Sequence, residues 1–448
     1  MAFPTRAEKK GGKNVTCQYN CHLTPYNQPY CVILDPISLV IPSVSNEAQL
    51  LFFKRNVDQK VHPLARPFVN HLILSHNSFR PGIAILALFI ISISQGHAQF
   101  RKYSNEFLNI GAGARGLAMG GAQVASVGDV TAGYWNPAGL TEVNSHPVAS
   151  LMHAEYFAGI GKYDYGSIAM PIGDPEKNMR TLGLSLIRFA VDDIPNTLFL
   201  VEPDGTINYN NVTSFSSADY AMLISYAQII FEDEESTFSF GANAKIIHRS
   251  VGSFAKAWGF GLDAGLQYRS RNLSLGVMAR DISTTFNAWK FSFTEREKEV
   301  LYLTNNNIPV KSTEMTAPRL VLGASYKWNI SESFNLMSEL NLDLTFDGRR
   351  NVLLSSSALN MDPRIGMEMG FMNLLFGRVG VYNFQQGLKD GDTTNLKKVW
   401  IYQPGVGVGF KLKNVEIDYA FTNLANQSNP LYTHIFSLKI GLGRKENN

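Results

Sequence analysis

Cysteine is nearly missing from this chain. Cys17, Cys21 and Cys31 all fall within the first 31 residues, and residues 32–448 hold none. This excludes a disulfide-stapled fold, and a thiol nucleophile, for almost the whole length. With His22 the three cysteines do not keep the C-x-x-C spacing of a zinc site, so no metal and no cofactor is expected. Charge is also scarce: Asp, Glu, Lys and Arg make up 17% of residues, where soluble domains carry roughly 25%. The net charge of +3 and pI near 8.5 are too mild to point to a nucleic-acid partner. The one apolar run of note, Ile83–Ile93, is too short for a membrane-spanning helix. Mean hydropathy, at −0.07, is far from that of a helical membrane protein. What the chain does have is 37 glycines and 11% aromatics. Few charges, many glycines and aromatics, and neutral hydropathy together suit a β-barrel with one face in lipid.

Arg80–Phe100 reads "RPGIAILALFIISISQGHAQF". A positive residue, a short apolar run and the small residues Gly96 and Ala98 make a secretory signal peptide over 80–98, cut after Ala98. Residues 1–79 show no periodicity and precede a segment that belongs at an N-terminus. They are expected to be a disordered, non-native upstream extension, the natural start lying near residues 70–80 at a non-AUG codon. The mature chain would then be Gln99–Asn448, free of cysteine.

From Val148 onward, runs of about ten residues alternate large apolar with small or polar side chains. "WGFGLDAGLQYRS" sets Trp258, Phe260, Leu262, Ala264, Leu266 and Tyr268 against Gly259, Gly261, Asp263, Gly265 and Gln267. Period two means strands, and their length is that of a tilted membrane strand. Fourteen strands are expected: 148–157, 163–172, 181–190, 219–230, 237–249, 255–269, 272–280, 319–328, 334–346, 363–371, 375–383, 401–412, 415–421 and 434–442. Short connections such as 231–236, 372–374 and 413–414 alternate with long ones at 191–218, 281–318, 347–362, 384–400 and 422–433. That alternation assigns the long loops to the cell exterior and both mature termini to the periplasm. The fold class is therefore all-β, a 14-stranded antiparallel transmembrane barrel over 148–443.

"GAGARG", Gly111–Gly116, matches G-x-G-x-x-G. A dinucleotide loop also needs a preceding strand, a following βαβ unit and an acid about 20 residues on. None of these is present. Residues 99–147 are rich in Gly and Ala, and a fourteen-strand lumen is too wide for its own side chains to fill. This segment is expected to fold into the lumen as a hatch, its glycines giving close approach to the wall.

"YWNPAGL", Tyr134–Leu140, follows that glycine-rich run, and "VDDIPNT", Val191–Thr197, follows the third strand. On these residues the chain resembles the PorV/PorQ family of Bacteroidota outer-membrane proteins, relatives of the FadL fatty-acid transporters. The resemblance spans 99–448, with Asn136, Pro137 and Ala138 as the hatch motif. It implies a fourteen-strand barrel with a plug. PorV-type members serve type IX secretion: they dock on an outer-membrane translocon barrel and accept secreted proteins by their C-terminal signal domains. FadL-type members move hydrophobic small molecules instead. The resemblance also implies that the barrel sits among outer-membrane lipid.

Partner-binding residues are expected in the long loops. They are Asp192, Asp193, Leu198, Phe199, Leu200 and Val201 in the first, and Phe286, Trp289, Phe291 and Phe293 in the second. Apolar groups in water-facing segments mark partner surfaces, unless they pack on the rim or extend strands. A hydrophobic-ligand transporter, the alternative, needs an apolar pocket near the hatch and a lateral exit. Catalysis is not expected, because His153, Glu155, Asp192, Asp193 and His248 are not spaced as a triad or a metal site.

Overall fold

The computed structural model describes residues 99–100, 104–173, 180–202, 204–309, 311–388, 397–422 and 432–443. The expected signal peptide and upstream extension lie outside the described residues, as do parts of the outer loops 384–400 and 422–433.

Fourteen antiparallel strands form one closed sheet. They are β1 (Val148–Tyr156), β2 (Gly161–Ile172), β3 (Arg180–Asn196), β4 (Thr213–Glu232), β5 (Ser236–Val251) and β6 (Ala255–Ser270). Then come β7 in two pieces (β7a, Leu273–Arg280; β7b, Thr285–Phe291) and β8 in two (β8a, Lys311–Thr316; β8b, Arg319–Asn329). The series ends with β9 (Phe334–Thr345), β10 (Asn360–Phe371), β11 (Leu375–Leu388), β12 (Lys398–Leu412), β13 (Val415–Thr422) and β14 (Thr433–Gly441). Each strand pairs with the next, and β14 returns to β1 from His434↔Glu155 to Gly441↔Val148. Closure pairs the edges that an open sheet would leave bare, which is what lipid demands of a spanning sheet.

The alternation read from the sequence is the alternation of the wall. Leu182, Leu184, Leu186, Trp258, Phe260 and Leu266 point outward and are exposed, while Asp263 and Gln267 point inward and are buried. Apolar surface left in water costs about 25 cal/mol per Å². A continuous outer band of this kind is therefore stable in lipid.

Residues 104–147 fill the lumen. They form short helical turns, Glu106–Asn109, α1 (Ala114–Ala118), α2 (Ala132–Trp135) and Pro137–Glu142. Leu117, Tyr134, Trp135 and Leu140 pack with Tyr163, Tyr165, Ile187, Leu223 and Ile247 of β2–β5 to make the apolar core of the molecule.

One expectation needs correction. The segment 281–318 is wall in part rather than all loop, with strands at Thr285–Phe291 and Lys311–Thr316. β7b pairs with β6 on one side and with β8a on the other. What stays outside is a shorter stretch around α3 (Glu295–Leu303), opened by a capping box of Thr294 and Glu297. The strands run on past the apolar band into water, where the outward face no longer has to be apolar and the sequence signal fades. Gly441 ends at the short-turn rim, but Gln99 and Phe100 pair in parallel with Glu314 and Met315 of β8a, at the long-loop end. The plug therefore traverses the lumen from one rim to the other.

Candidate functional site

The plug is seated on glycines of the wall. A Cβ on Gly241 would lie 2.3 Å from Ala138 N, and one on Gly265 2.0 Å from Asn136 Oδ1. On Gly276 it would lie 2.3 Å from Val124 O, and on Gly380 2.1 Å from the carbonyl carbon of Met119. Gly366 faces Met119 O at 2.7 Å and Gly323 faces Ala125 N at 3.0 Å, while Gly407 faces the Cβ of Ala118 at 2.5 Å. These inward glycines let plug backbone lie directly on wall backbone. Within "GAGARG", Gly111 and Gly113 have φ of +124° and +78°, and Gly116 lies under the Trp135 ring, where a Cβ would approach within 2.7 Å. The motif is used for turning and close packing.

Asn136, Pro137 and Ala138 lie where the plug crosses β5 and β6. Asn136 is fully buried; its Nδ2 donates to Val124 O (2.9 Å) and Leu266 O (3.0 Å), and its Oδ1 accepts from Ala138 N (3.2 Å). Pro137 opens the helical turn 137–142, a position whose N–H would be unpaired in any case.

The other half of the lumen is charged. Arg115 of α1 forks onto Glu368 (2.8 and 3.1 Å), which also meets Arg378 at 2.6 Å. Arg378 reaches Asp418, and Lys439 joins Glu416 (2.8 Å) to Asp129 of the plug (2.7 Å). The chain of alternating charges runs from plug to wall and back to plug. Burial alone would push the Asp129 carboxyl up, but Lys439 and Arg115 outweigh it and hold it well below the usual carboxylate range. Glu339 caps the plug backbone, accepting from the N–H groups of Ala125 (2.8 Å) and Ser126 (3.1 Å).

Above the plug lies a small cavity of about 40 Å³ between residues 104–109, Tyr134 and the place where β7 and β8 are interrupted. In β7 the residues between Arg280 and Thr285 bulge, with Asp281 and Thr284 at φ +56° and +55°. Ile282 N bonds to Leu262 O (2.9 Å), and Asp281 N donates to Asp263 Oδ1 (2.8 Å). In β8 the break is Ala317-Pro318, and Pro318 has no N–H for the ladder. Lys245 neutralises Asp263 (2.7 Å) and Asp281 behind the bulge. Arg280 differs from these paired charges. Among the described residues no carboxylate pairs with it; its Nε is buried without a partner, and its guanidinium lies 4.8 Å over the Tyr134 ring. The cavity thus joins Arg280, whose terminal N–H groups donate to the carbonyls of Leu108 (3.4 Å) and Tyr134 (3.3 Å), to the apolar surface of Leu108, Tyr134 and Leu223.

The expected loop residues are placed differently from one another. Asp192 pairs with Lys162 (2.9 Å), and Asp193, at φ +55°, makes a bulge in β3. Leu198, Phe199 and Leu200 are half-buried, with Arg296 of α3 over the Phe199 ring at 4.6 Å. Phe286, Trp289 and Phe291 belong to β7b; Phe286 faces outward, and Trp289 stacks beside Phe291 at 6.3 Å and under Arg249. His153 and His248 lie on the outer wall. Among the described residues no cluster of His, Cys, Asp or Glu is arranged to hold a metal ion. Sequence reasoning missed Arg280, Lys245, Asp281 and the charged chain. The signal available was the Pro318 break and the charges on the glycine-bearing faces.

No protein-family model matches the chain, and no curated protein does. Among solved structures the chain is similar to the toluene transporter TbuX of Ralstonia pickettii, at 13% identity and TM-score 0.44, over 74% of this chain and 98% of that one. A Pseudomonas aeruginosa FadL homologue matches at 11% identity and TM-score 0.40, over 73% of this chain and 97% of that one. The monoaromatic hydrocarbon channel CymD matches at 13% identity and TM-score 0.44, over 75% and 98%.

Proposed function

We propose that this protein is a FadL-like transporter of the outer membrane. It admits small amphiphilic molecules, with an apolar body and an anionic end, from the long-loop side. The observation that carries this reading is the cavity directly behind the interrupted strands β7 and β8. The plug closes the axial route, with its backbone on wall glycines. The cavity offers the Arg280 guanidinium, which has no carboxylate in ion-pair distance among the described residues, for the anionic end and Leu108, Tyr134 and Leu223 for the body. The wall break beside it is the natural side exit.

Uptake of alkyl carboxylates of graded length into proteoliposomes tests this. Uptake should exceed that of protein-free vesicles and fall several-fold when Ala317→Trp fills the cavity. Heat-shifted gel mobility would report that the variant barrel is folded. If folded wild-type protein carries none of the series, the reading is wrong.

A second reading is docking of a translocon barrel and of secreted proteins with C-terminal signal domains. It is favoured by the exposed Val201, Ile207 and Tyr209 on one long loop and Tyr302 and Leu303 on α3. Co-purification of such partners from native membranes in mild detergent would support it.

A further inference from the structure

We infer that the lumen holds a second binding site, for a neutral polyhydroxylated molecule of the size of one sugar ring. A cavity of about 330 Å³ lies between the plug turn Glu106–Asn109, the inner faces of β8b–β11 and the loop that follows β9. That volume is within the range of small-molecule sites. The site does not rest on the amphiphile route proposed above.

The strand β11 is shaped to serve this cavity. Tyr382 pairs with Gln403 and Gln385 with Ile401, so Asn383 and Phe384 together oppose a single residue of β12. Asn383 adopts the left-handed region, at φ +56°. In an unbroken strand Asn383 and Gln385 would share the outward face of Val379. The bulge turns both to the cavity instead. Bulges re-aim side chains in this way, and such distortions collect at functional sites.

The groups around the cavity leave both acceptors and donors over. Asp347 is engaged by Arg350 in a fork (3.0 and 2.6 Å), and Asp343 Oδ2 accepts from Arg319 (3.2 Å) and Arg364 (3.5 Å). Asp343 stands in direct register with Asp362. Asp343 Oδ1 and Asp362 Oδ1 are both buried without a hydrogen-bond partner, and the Asp343 side chain is only 8% exposed. Unpartnered buried oxygens are costly, and acids set directly opposite one another add to the cost. On the donor side, the long contact to Asp343 is the one hydrogen bond of Arg364 among the described residues, and the amides of Asn383 and Gln385 make none.

The occupant follows from that remainder. A carboxylate would meet Asp343 and Asp362, and an ammonium would meet Arg319 and Arg364. A hydroxyl both donates and accepts. A ring bearing several hydroxyls can donate to the two aspartates and accept from Arg364, Asn383 and Gln385 at once.

Isothermal titration of the whole barrel in dodecyldimethylamine oxide, a detergent without a sugar head, tests the inference. The probes are glucose, galactose and myo-inositol, with cyclohexanecarboxylate and cyclohexylammonium as charged rings of similar size. At least one of the three polyols should bind saturably, and neither charged ring should displace it. Asp362→Asn should weaken that binding roughly tenfold and Gln385→Ala several-fold. Lys327→Ala, near the short-turn end of β8b, should leave it unchanged. Heat-shifted gel mobility checks that each variant is folded. No saturable polyol binding by folded wild-type protein, unchanged affinity in both cavity variants, or displacement by a charged ring would overturn the inference.

Discussion

At Gly241 and Gly265 the plug tolerates a hydrogen and nothing larger. Replacing either with alanine puts a methyl group into plug atoms about 2 Å away. Overpacking of this kind costs roughly 1–3 kcal/mol when the neighbour can shift, and backbone held from both sides shifts poorly. Gly241→Ala and Gly265→Ala should therefore lower the temperature at which the folded band is lost on a gel. Gly377→Ala should not, because nothing lies within 4 Å of its would-be Cβ. Equal stability of all three would remove the close seating of the plug from the account. Asn136→Ala removes both donors that reach buried carbonyls and the acceptor of Ala138 N. Unsatisfied buried groups cost about 1–3 kcal/mol each. The loss should appear as faster amide exchange in 124–142 with the barrel amides unchanged.

Among the elements, the strands were legible and the plug's anchoring was not. Period-two alternation located every barrel strand and its lipid-facing side, because burial on one face leaves a mark along a single stretch of chain. The strand ends were drawn short, since β3, β4 and β7b continue into water where that mark is erased. The partners of the plug were hidden for another reason: Arg115 and Glu368, or Asp129 and Lys439, meet only once the sheet has closed. Their pairing has a pH consequence. A carboxyl held below its usual value stabilises the fold fully above its unfolded value, near pH 4. That contribution fades only as pH falls through the lower folded value. Proteolysis of 104–147 should thus stay slow from neutral pH down to about 4 and accelerate only in stronger acid. Acceleration already at mildly acidic pH would show that Asp129 does not anchor the plug.

For the molecule as a whole, the question is which route a solute takes. An ideal Cβ at Gly133 lies 3.8 Å from the Cβ of Ser225, the separation that a disulfide prefers. Gly133→Cys with Ser225→Cys would pin the plug to β4, with no competing thiol in residues 99–448. If solutes leave by the break in β7 and β8, the oxidised variant should transport as fast as the reduced one. If the plug has to swing aside, oxidation should stop transport and reductant should restore it.

The glycine seats also bear on how the molecule is made. Wall and plug share backbone contacts round most of the circumference, and the plug leads directly into β1, one side of the last seam to close. A cylinder finished first would hold an empty core, with Glu339 and Glu368 lacking their plug partners Ala125, Ser126 and Arg115, and a folded plug could not be threaded past the constrictions that fit it. The plug is better understood as the former around which the sheet is rolled. Errors in residues 104–147 should then appear as failed barrel assembly, before any effect on what crosses the membrane.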